Sequence, residues 1–244
     1  MGSCFYNRKR IRTPGVLFPL FCGIDRSLAR LCLYQKKEKE TTDAMIAGVC
    51  PAYLPNIAYM AWMISQKEIT FVTQGHYQKQ TYRNRTEIYG ANGKLKLTVP
   101  IVHHKNQSRQ TDAEVRIHYE NKWQKDHWKS LEAAYRSSPY FEFYEDDLYP
   151  FFAKKTEKLM ELNKGLIHKI LSLLQAEVVL KSDTNLPIQV NHKLVIAKVN
   201  AAPKNPPYHQ VFQSKHGFIG GLSVLDLIFN LGPQSLDYLQ KFHQ

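Results

Sequence analysis

The feature that most constrains the fold is the order strand, helix, strand in residues 45–73. Residues 45–49 form a short apolar run, and residues 69–73 are rich in β-branched side chains, as buried strands are. Between them, Asn56 is placed to cap a helix that extends to Gln66. Because strands joined through a crossover helix run parallel, this order predicts an α/β fold whose mostly parallel sheet opens β-α-β.

The next segment predicts a β-hairpin. Residues 85–89 and 94–102 alternate with a period of two, and residues 90–93 between them read Gly-Ala-Asn-Gly, which contains the Asn-Gly turn signal. We therefore expect a hairpin inserted between the β-α-β opening and a C-terminal half that is mostly helical in pattern.

Two long helices are predicted in that half. Apolar residues recur at helical spacing over 122–137, on a face that includes His127, and again over 147–175. Asp146 and Asp147 suit the N-terminus of the second helix, because negative charge is favourable there.

Three shorter elements complete the prediction. Residues 114–119 and 178–180 are strand candidates. Ser223 and Asp226 have the spacing of a capping box, which predicts a helix that ends at the Gly-Pro pair of residues 232–233.

Residues 1–44 differ in composition from the rest. They hold nine Lys or Arg against four Asp or Glu, a balance of +5 out of a formal net charge of +12, and three of the four cysteines. Pro19 interrupts their apolar run, which argues against a secretory signal. We expect residues 1–44 to be a basic leader, disordered or an over-extended start, and residues 45–244 to form a single domain in the cytoplasm.

Composition excludes several classes of protein. No apolar run reaches the roughly 18 residues that a membrane span needs. Four cysteines without a CxxC pair or zinc-type spacing argue against a disulfide scaffold and a zinc site. Outside the leader the net charge is 12 minus 5, or +7, which fits a small phosphate- or carboxylate-bearing substrate; we do not expect nucleic acid. The sequence indicates no particular cofactor or oligomeric state.

The densest polar cluster, residues 76–85, follows the second predicted strand, where ligand crevices form in open α/β sheets. Arg83 and Arg85 are two residues apart on an extended segment, so both guanidinium groups point to one face and are placed to clamp a phosphate or carboxylate. The alternative is a solvated edge strand protected by its basic residues. The remaining binding candidates of this segment are Gln78, Tyr82 and Asn84.

Two residues are candidates for catalysis. His127 lies on the apolar face of its helix, where its pKa responds to burial or to a neighbouring charge, so it is the best acid/base candidate. The alternative is a packed histidine of the core. For Cys50 the interpretation as a small buried hydrophobe is favoured over a nucleophile. No metal site is predicted.

Five segments together resemble the WbqC-like protein family. That family typically has an opening His-Gln-Pro-x-Tyr-Leu-Pro, then Gln-x-x-Arg-x-Asn-Arg, then Leu-Thr-Val-Pro, and finally Leu-Ser-x-x-Asp-Leu-x-Phe-Asn. Tyr53, Gln78, Arg83, Asn84 and Arg85 match its motifs, whereas Val49 and Cys50 stand in place of the opening His-Gln. The matching segments are 51–55 (Pro-Ala-Tyr-Leu-Pro), 77–85, 97–100 (Leu-Thr-Val-Pro), 123–135 and 222–230.

The resemblance implies a role in bacterial surface-polysaccharide biosynthesis of the O-antigen type. The implied activity is transfer of an aminoacyl or acyl group onto a nucleotide-linked sugar, with Tyr53 among the binding residues. Two alternatives stay open. A nucleotidylyltransferase-like enzyme is suggested by Tyr53-Leu54-Pro55 after the first strand and Ser182-Asp183-Thr184 after a later one. A non-catalytic protein that binds a small anion is suggested by the loss of the opening histidine.

Overall fold

The computed structural model describes residues 46–102, 110–181, 188–197 and 205–242, all of them in the unit that begins at Met45. The predicted leader of residues 1–44 lies outside the described residues. The strands of the described part are β1 (Ile46–Val49), β2 (Glu68–Phe71), β3 (Arg85–Gly90), β4 (Gly93–Thr98), β5 (Val179–Lys181) and β6 (Ile188–Val190). Its α-helices are α1 (Ile57–Ser65), α2 (Trp123–Tyr135), α3 (Phe141–Ala153), α4 (Leu159–Leu173), α5 (Gln213–His216), α6 (Val224–Leu231) and α7 (Ser235–Lys241).

A four-stranded parallel sheet in the order β5-β2-β1-β6 confirms the predicted β-α-β opening. In the central pair, Ala47 of β1 lies opposite Ile69 of β2. Asn56 caps α1 as predicted, because its side-chain oxygen accepts a hydrogen bond from the Tyr59 backbone N–H at 2.8 Å. Ser65, the last residue of α1, directly precedes the predicted end at Gln66.

The predicted hairpin is confirmed as the antiparallel pair β3-β4, in which Gly90 lies opposite Gly93 across the turn. Gly93 has a φ of +96°, which a side chain would disfavour. The second strand ends at Thr98 rather than at residue 102, since Pro100 has no N–H to donate to a ladder. Beyond Pro100 the chain leaves β3, and Ile101 pairs with Ile117 instead.

The predicted helix over 122–137 is confirmed as α2, but the one predicted over 147–175 is two helices, α3 and α4. The break is a long-range effect, because residues 157–159 are drawn into pairing with residues 115–117. The Ile117 N–H donates to the Glu157 carbonyl and the Leu159 N–H to the Val115 carbonyl, each at 2.9 Å. The predicted strand over 114–119 is present only as these isolated bridges.

Asp146 and Asp147 therefore lie inside α3, whose first residue is Phe141, and not at a helix N-terminus. The exposed Asp147 carboxylate accepts a hydrogen bond from the Lys169 ammonium at 3.0 Å. The prediction was wrong because helical spacing continues across the break in the sequence although the backbone does not.

Helix α6 begins after Ser223 as predicted, and the Ser223 hydroxyl accepts from the Leu225 N–H. The second half of the predicted capping box is wrong. The Asp226 carboxylate is fully buried and accepts hydrogen bonds from the Tyr208 hydroxyl and, at 2.9 Å, from the Gln210 amide. Asp226 thus ties the segment before α6 to the helix.

The helices pack so that the hairpin and the sheet share one core. Helix α2 packs on β3 and on α3, α1 packs on α6 and α7, and α3 packs on α4. The core is rich in fully buried aromatic side chains, which are Tyr53, Tyr59, Tyr89, Tyr135, Phe141 and Phe229. The protein thus has a mixed α/β fold with a parallel sheet, a small antiparallel hairpin and a helical C-terminal half.

Among the helices of the described residues, none has both the length and the apolar character needed to cross a bilayer.

Candidate functional site

The loop of residues 51–55, which matches the first family motif, joins three parts of the fold. Leu54 has a φ of +43°, a conformation that costs a non-glycine residue about 1–3 kcal/mol. The Leu54 carbonyl accepts hydrogen bonds from the Thr86 hydroxyl of β3 at 2.8 Å and from the Ser223 hydroxyl before α6 at 3.1 Å. These contacts hold the strained backbone and fix the loop against the hairpin and α6.

Tyr53, in the same loop, lies 1% exposed beside His127 of α2. The Tyr53 hydroxyl and the His127 Nδ1 are 2.8 Å apart. Burial lowers the pKa of His127 to about 4, although a hydrogen bond to the Thr98 backbone opposes that shift. The imidazole is therefore neutral at pH 7, and it links Tyr53 to the end of β4.

A cavity of about 430 Å³ lies where β3 begins and β4 ends. Its lining holds the cations Lys79 and Arg85 and no carboxylate, so we call it the basic cavity. Two family motifs form its walls. The residues that line it are Tyr77, Lys79, Gln80, Asn84, Arg85, Thr98, Val99, Pro100 and Ile101.

Arg85 is held in the basic cavity by the loop that precedes it. Gln80 has a φ of +59°, and its carbonyl accepts a hydrogen bond from the Arg85 guanidinium. The Arg85 Nε is buried and has no hydrogen-bond partner among the described residues. A buried donor left without an acceptor costs about 1–3 kcal/mol, so Arg85 retains unused capacity for an anion.

Arg83 does not share this environment, although it is only two residues away. Its guanidinium is 4% exposed, and its Nε lies 2.9 Å from Asp112 Oδ1 and 3.1 Å from Asp112 Oδ2. Burial raises the pKa of Asp112, while the positive charge of Arg83 opposes that rise. The sequence predicts that Arg83 and Arg85 share one open face. In the structure they do not, because the buried Asp112 carboxylate engages the Arg83 guanidinium.

The other predicted residues divide in the same way. Asn84 lines the basic cavity, and its side-chain N–H₂ donates to the Val99 carbonyl at 3.0 Å. Gln78 is exposed and Tyr82 is half-buried, with a hydrogen bond to Asn56. The predicted binding residues outside the lining of the basic cavity are Tyr53, Gln78, Tyr82 and Arg83.

The sequence did not indicate that Tyr77 and the residues at the end of β4 line this cavity. Burial raises the pKa of Tyr77 to about 12, so its hydroxyl remains protonated and able to donate. The sequence also did not indicate Asp112, which lies 29 residues after Arg83. A buried arginine requires a carboxylate partner, but nothing in the local pattern shows which one.

A second cavity, of about 640 Å³, shares Thr98 and Pro100 with the basic cavity. Two carboxylates, those of Glu120 and Asp126, line it together with one cation, Lys122, so we call it the acidic cavity. The full lining is Thr98, Pro100, Glu120, Asn121, Lys122, Trp123, Asp126 and His127. His127 thus lies in the wall of the second cavity and bonds to the residue that both cavities share.

Cys50 follows β1, and its Sγ lies 3.4 Å from Asp112 Oδ2. Burial raises the pKa of the Cys50 thiol to about 12, so it stays protonated and unreactive at neutral pH. Within the described residues, no group of three or more His, Cys, Asp and Glu side chains is placed to hold a metal ion.

Comparison with known proteins identifies relatives of the chain. It is 27% identical over 230 residues to the uncharacterized protein Rv1507c of Mycobacterium tuberculosis, a match that covers 82% of this chain and 99% of the relative. No solved structure matches the chain significantly. The model of the WbqC-like protein family matches residues 50–205, a span that includes the linings of both cavities. The chain belongs to the WbqC-like protein family.

Proposed function

We propose that this protein is a transferase of bacterial surface-polysaccharide biosynthesis that holds a small anionic substrate in the basic cavity. The observation that supports this most is Arg85, whose buried Nε lacks a partner among the described residues in a cavity that has Lys79 but no carboxylate. A phosphate or carboxylate supplies the acceptor that this guanidinium lacks. Asn84, Tyr77 and Lys79 lie in the same lining and orient the bound group.

The proposed reaction moves an aminoacyl or acyl group onto a nucleotide-linked sugar. A hydroxyl or amine of the sugar attacks the carbonyl carbon of an activated acyl donor. A new ester or amide bond forms, the bond between the acyl carbon and the leaving group of the donor breaks, and the proton of the nucleophile passes to that leaving group. The basic cavity binds the phosphates of the sugar nucleotide and so positions its sugar for attack.

In the proposed transferase, the main role of His127 is to position neighbouring residues. Its Nδ1 lies 2.8 Å from the Tyr53 hydroxyl, and the imidazole also has a hydrogen bond to the Thr98 backbone. His127 therefore orients Thr98 in the wall that the two cavities share. Action as a proton acceptor requires that the Tyr53 bond is released first.

The second candidate is a non-catalytic protein that binds a small anion. Val49 stands where the family has its opening histidine, and the Cys50 thiol next to it is held in its protonated form. The nucleotidylyltransferase alternative has less support, since Tyr53 and Leu54 are buried and Ser182-Asp183-Thr184 lies outside the described residues.

A thermal-shift screen with turnover assays separates these functions. The full chain is heated with nucleotide sugars, nucleotides, coenzyme A esters and amino acids, because a ligand at 100 times its Kd stabilises by about 2.7 kcal/mol. The transferase proposal expects stabilisation by nucleotide sugars and acyl transfer when an activated acyl donor is added. Stabilisation by nucleotides alone supports nucleotidyl transfer, and binding without turnover supports the second candidate. A screen without any stabilising anion contradicts the proposal.

A further inference from the structure

We infer that the acidic cavity is a sugar subsite, which binds the ring of the same substrate whose phosphates lie in the basic cavity. This inference rests on the proposed function and assigns the substrate class of the second cavity. Its support is the complementary chemistry of the two cavities and an unused buried donor in the wall of the second one.

The acidic cavity has the acceptors that sugar hydroxyls need. Ionised carboxylates only accept hydrogen bonds, and a hydroxyl donates one. Glu120 and Asp126 supply two carboxylates. The Glu120 carboxylate lies 3.4 Å from the His118 Nε2, and no ion pair engages the Asp126 carboxylate among the described residues. Asn121 and Lys122 add donors for the ring and hydroxyl oxygens of the sugar.

Trp123 gives the second, independent observation. Its side chain is 5% exposed, and its indole N–H is buried without a hydrogen-bond partner among the described residues. The indole ring contacts the rings of Tyr119 and His127, whose centroids lie 5.9 Å and 5.1 Å from it, respectively. A ligand hydroxyl that accepts from this N–H removes the cost of burying it.

The two cavities are placed to bind one extended molecule. Thr98 and Pro100 belong to both linings, so the cavities adjoin at the end of β4. Charge fixes the direction of binding, because Lys79 and Arg85 attract phosphate and the carboxylates of the acidic cavity repel it. An uncharged polyhydroxyl ring attached to the phosphates therefore lies in the acidic cavity.

The test compares sugar nucleotides with the free nucleotides. Calorimetric titration of the full chain measures the Kd of UDP, dTDP and a panel of UDP- and dTDP-linked hexoses. We expect at least one sugar nucleotide to bind about tenfold more tightly than its free nucleotide. Trp123→Phe removes the indole N–H and Asp126→Asn removes the charge, so each variant should lose most of that advantage, and neither should bind the free nucleotide more weakly than the wild type does.

The control is Asp146→Asn, an isosteric loss of charge at an exposed position of α3 outside both linings, which should retain the full advantage. Melting temperatures of all variants establish that they fold. Binding of free nucleotides with no sugar advantage in the wild type, or with an advantage that Trp123→Phe and Asp126→Asn both retain, overturns this inference and leaves the proposed function standing. Absence of binding by UDP, dTDP and every sugar nucleotide overturns both.

Discussion

At the scale of single residues, burial separates two arginines that the sequence makes equivalent. The same motif places Arg83 and Arg85 after β2, but of the two only Arg85 lines the basic cavity. Arg83 forms a buried ion pair with Asp112, so we expect its removal to affect stability first. The chemistry of the motif therefore differs between its two cations.

The buried pair of Arg83 and Asp112 gives a prediction for stability. Removal of one partner leaves an uncompensated buried charge, so Arg83→Met and Asp112→Leu should each lower the free energy of unfolding by about 3–5 kcal/mol. The double variant should recover most of that loss, because it leaves no unpaired charge. Urea unfolding of the four proteins measures this cycle, and additive losses would contradict the ion-pair interpretation.

His127 gives a prediction for pH dependence. Its pKa is about 4 in the folded protein, against 6.5 for an unperturbed histidine, so between these pH values the unfolded chain takes up the proton first. The free energy of unfolding should therefore fall by up to about 3 kcal/mol as the pH decreases from 6.5 to 4. His127→Gln removes this contribution, and its stability should change less across the same window. Equal slopes for the two proteins would show that His127 is not held neutral by burial.

At the scale of elements, local sequence signals were sufficient to predict an element when its own residues define it. The Asn56 cap, the Asn-Gly turn of the hairpin and the apolar face of α2 all lie within the element they define, and all three were predicted. The break between α3 and α4 was not predicted, because it depends on backbone pairing between residues 115–117 and residues 157–159. Asp112 was not predicted as a partner of Arg83 for the same reason, since the two residues are 29 positions apart in the sequence.

The end of α4 offers a test of element stability away from the site. Gln175 has a φ of +55° and its N–H donates to the Ser172 carbonyl, while the Ala176 N–H donates to the Leu171 carbonyl, both at 3.0 Å. This is a Schellman motif, in which glycine is preferred at the position of Gln175. Gln175→Gly should raise the free energy of unfolding by about 1 kcal/mol, or the melting temperature by about 2–4 °C.

The matched control at this helix end is Gln175→Ala, which keeps a Cβ in the same backbone conformation and should bring no such gain. Differential scanning calorimetry compares the three proteins. A melting temperature of the glycine variant at or below that of the alanine variant would argue against a strained C-terminus of α4.

At the scale of the whole molecule, the fold brings distant motifs to one place. The loop of residues 51–55, the segment before β3 and the end of β4 are separate in the sequence. Hydrogen bonds from the Tyr53 N–H to the Tyr82 carbonyl and from the Asn84 side chain to the Val99 carbonyl hold them together, and the Leu54 carbonyl accepts from the Thr86 hydroxyl. The sequence predicted the basic segment but not the two cavities. Their shared wall arises only when α2 packs against the hairpin.

The anion site in the basic cavity is tested most directly by the affinity of the full chain for UDP, measured by calorimetry for the wild type and two variants. Arg85→Lys keeps the charge but loses the planar guanidinium fork, so UDP should bind several-fold more weakly and the remaining affinity should fall as salt is added. The control, Arg136→Lys, changes an exposed arginine outside both cavities and should bind UDP as the wild type does. An unchanged affinity in Arg85→Lys would contradict the anion site in the basic cavity, as would a wild type that binds none of UDP, dTDP and their sugar derivatives.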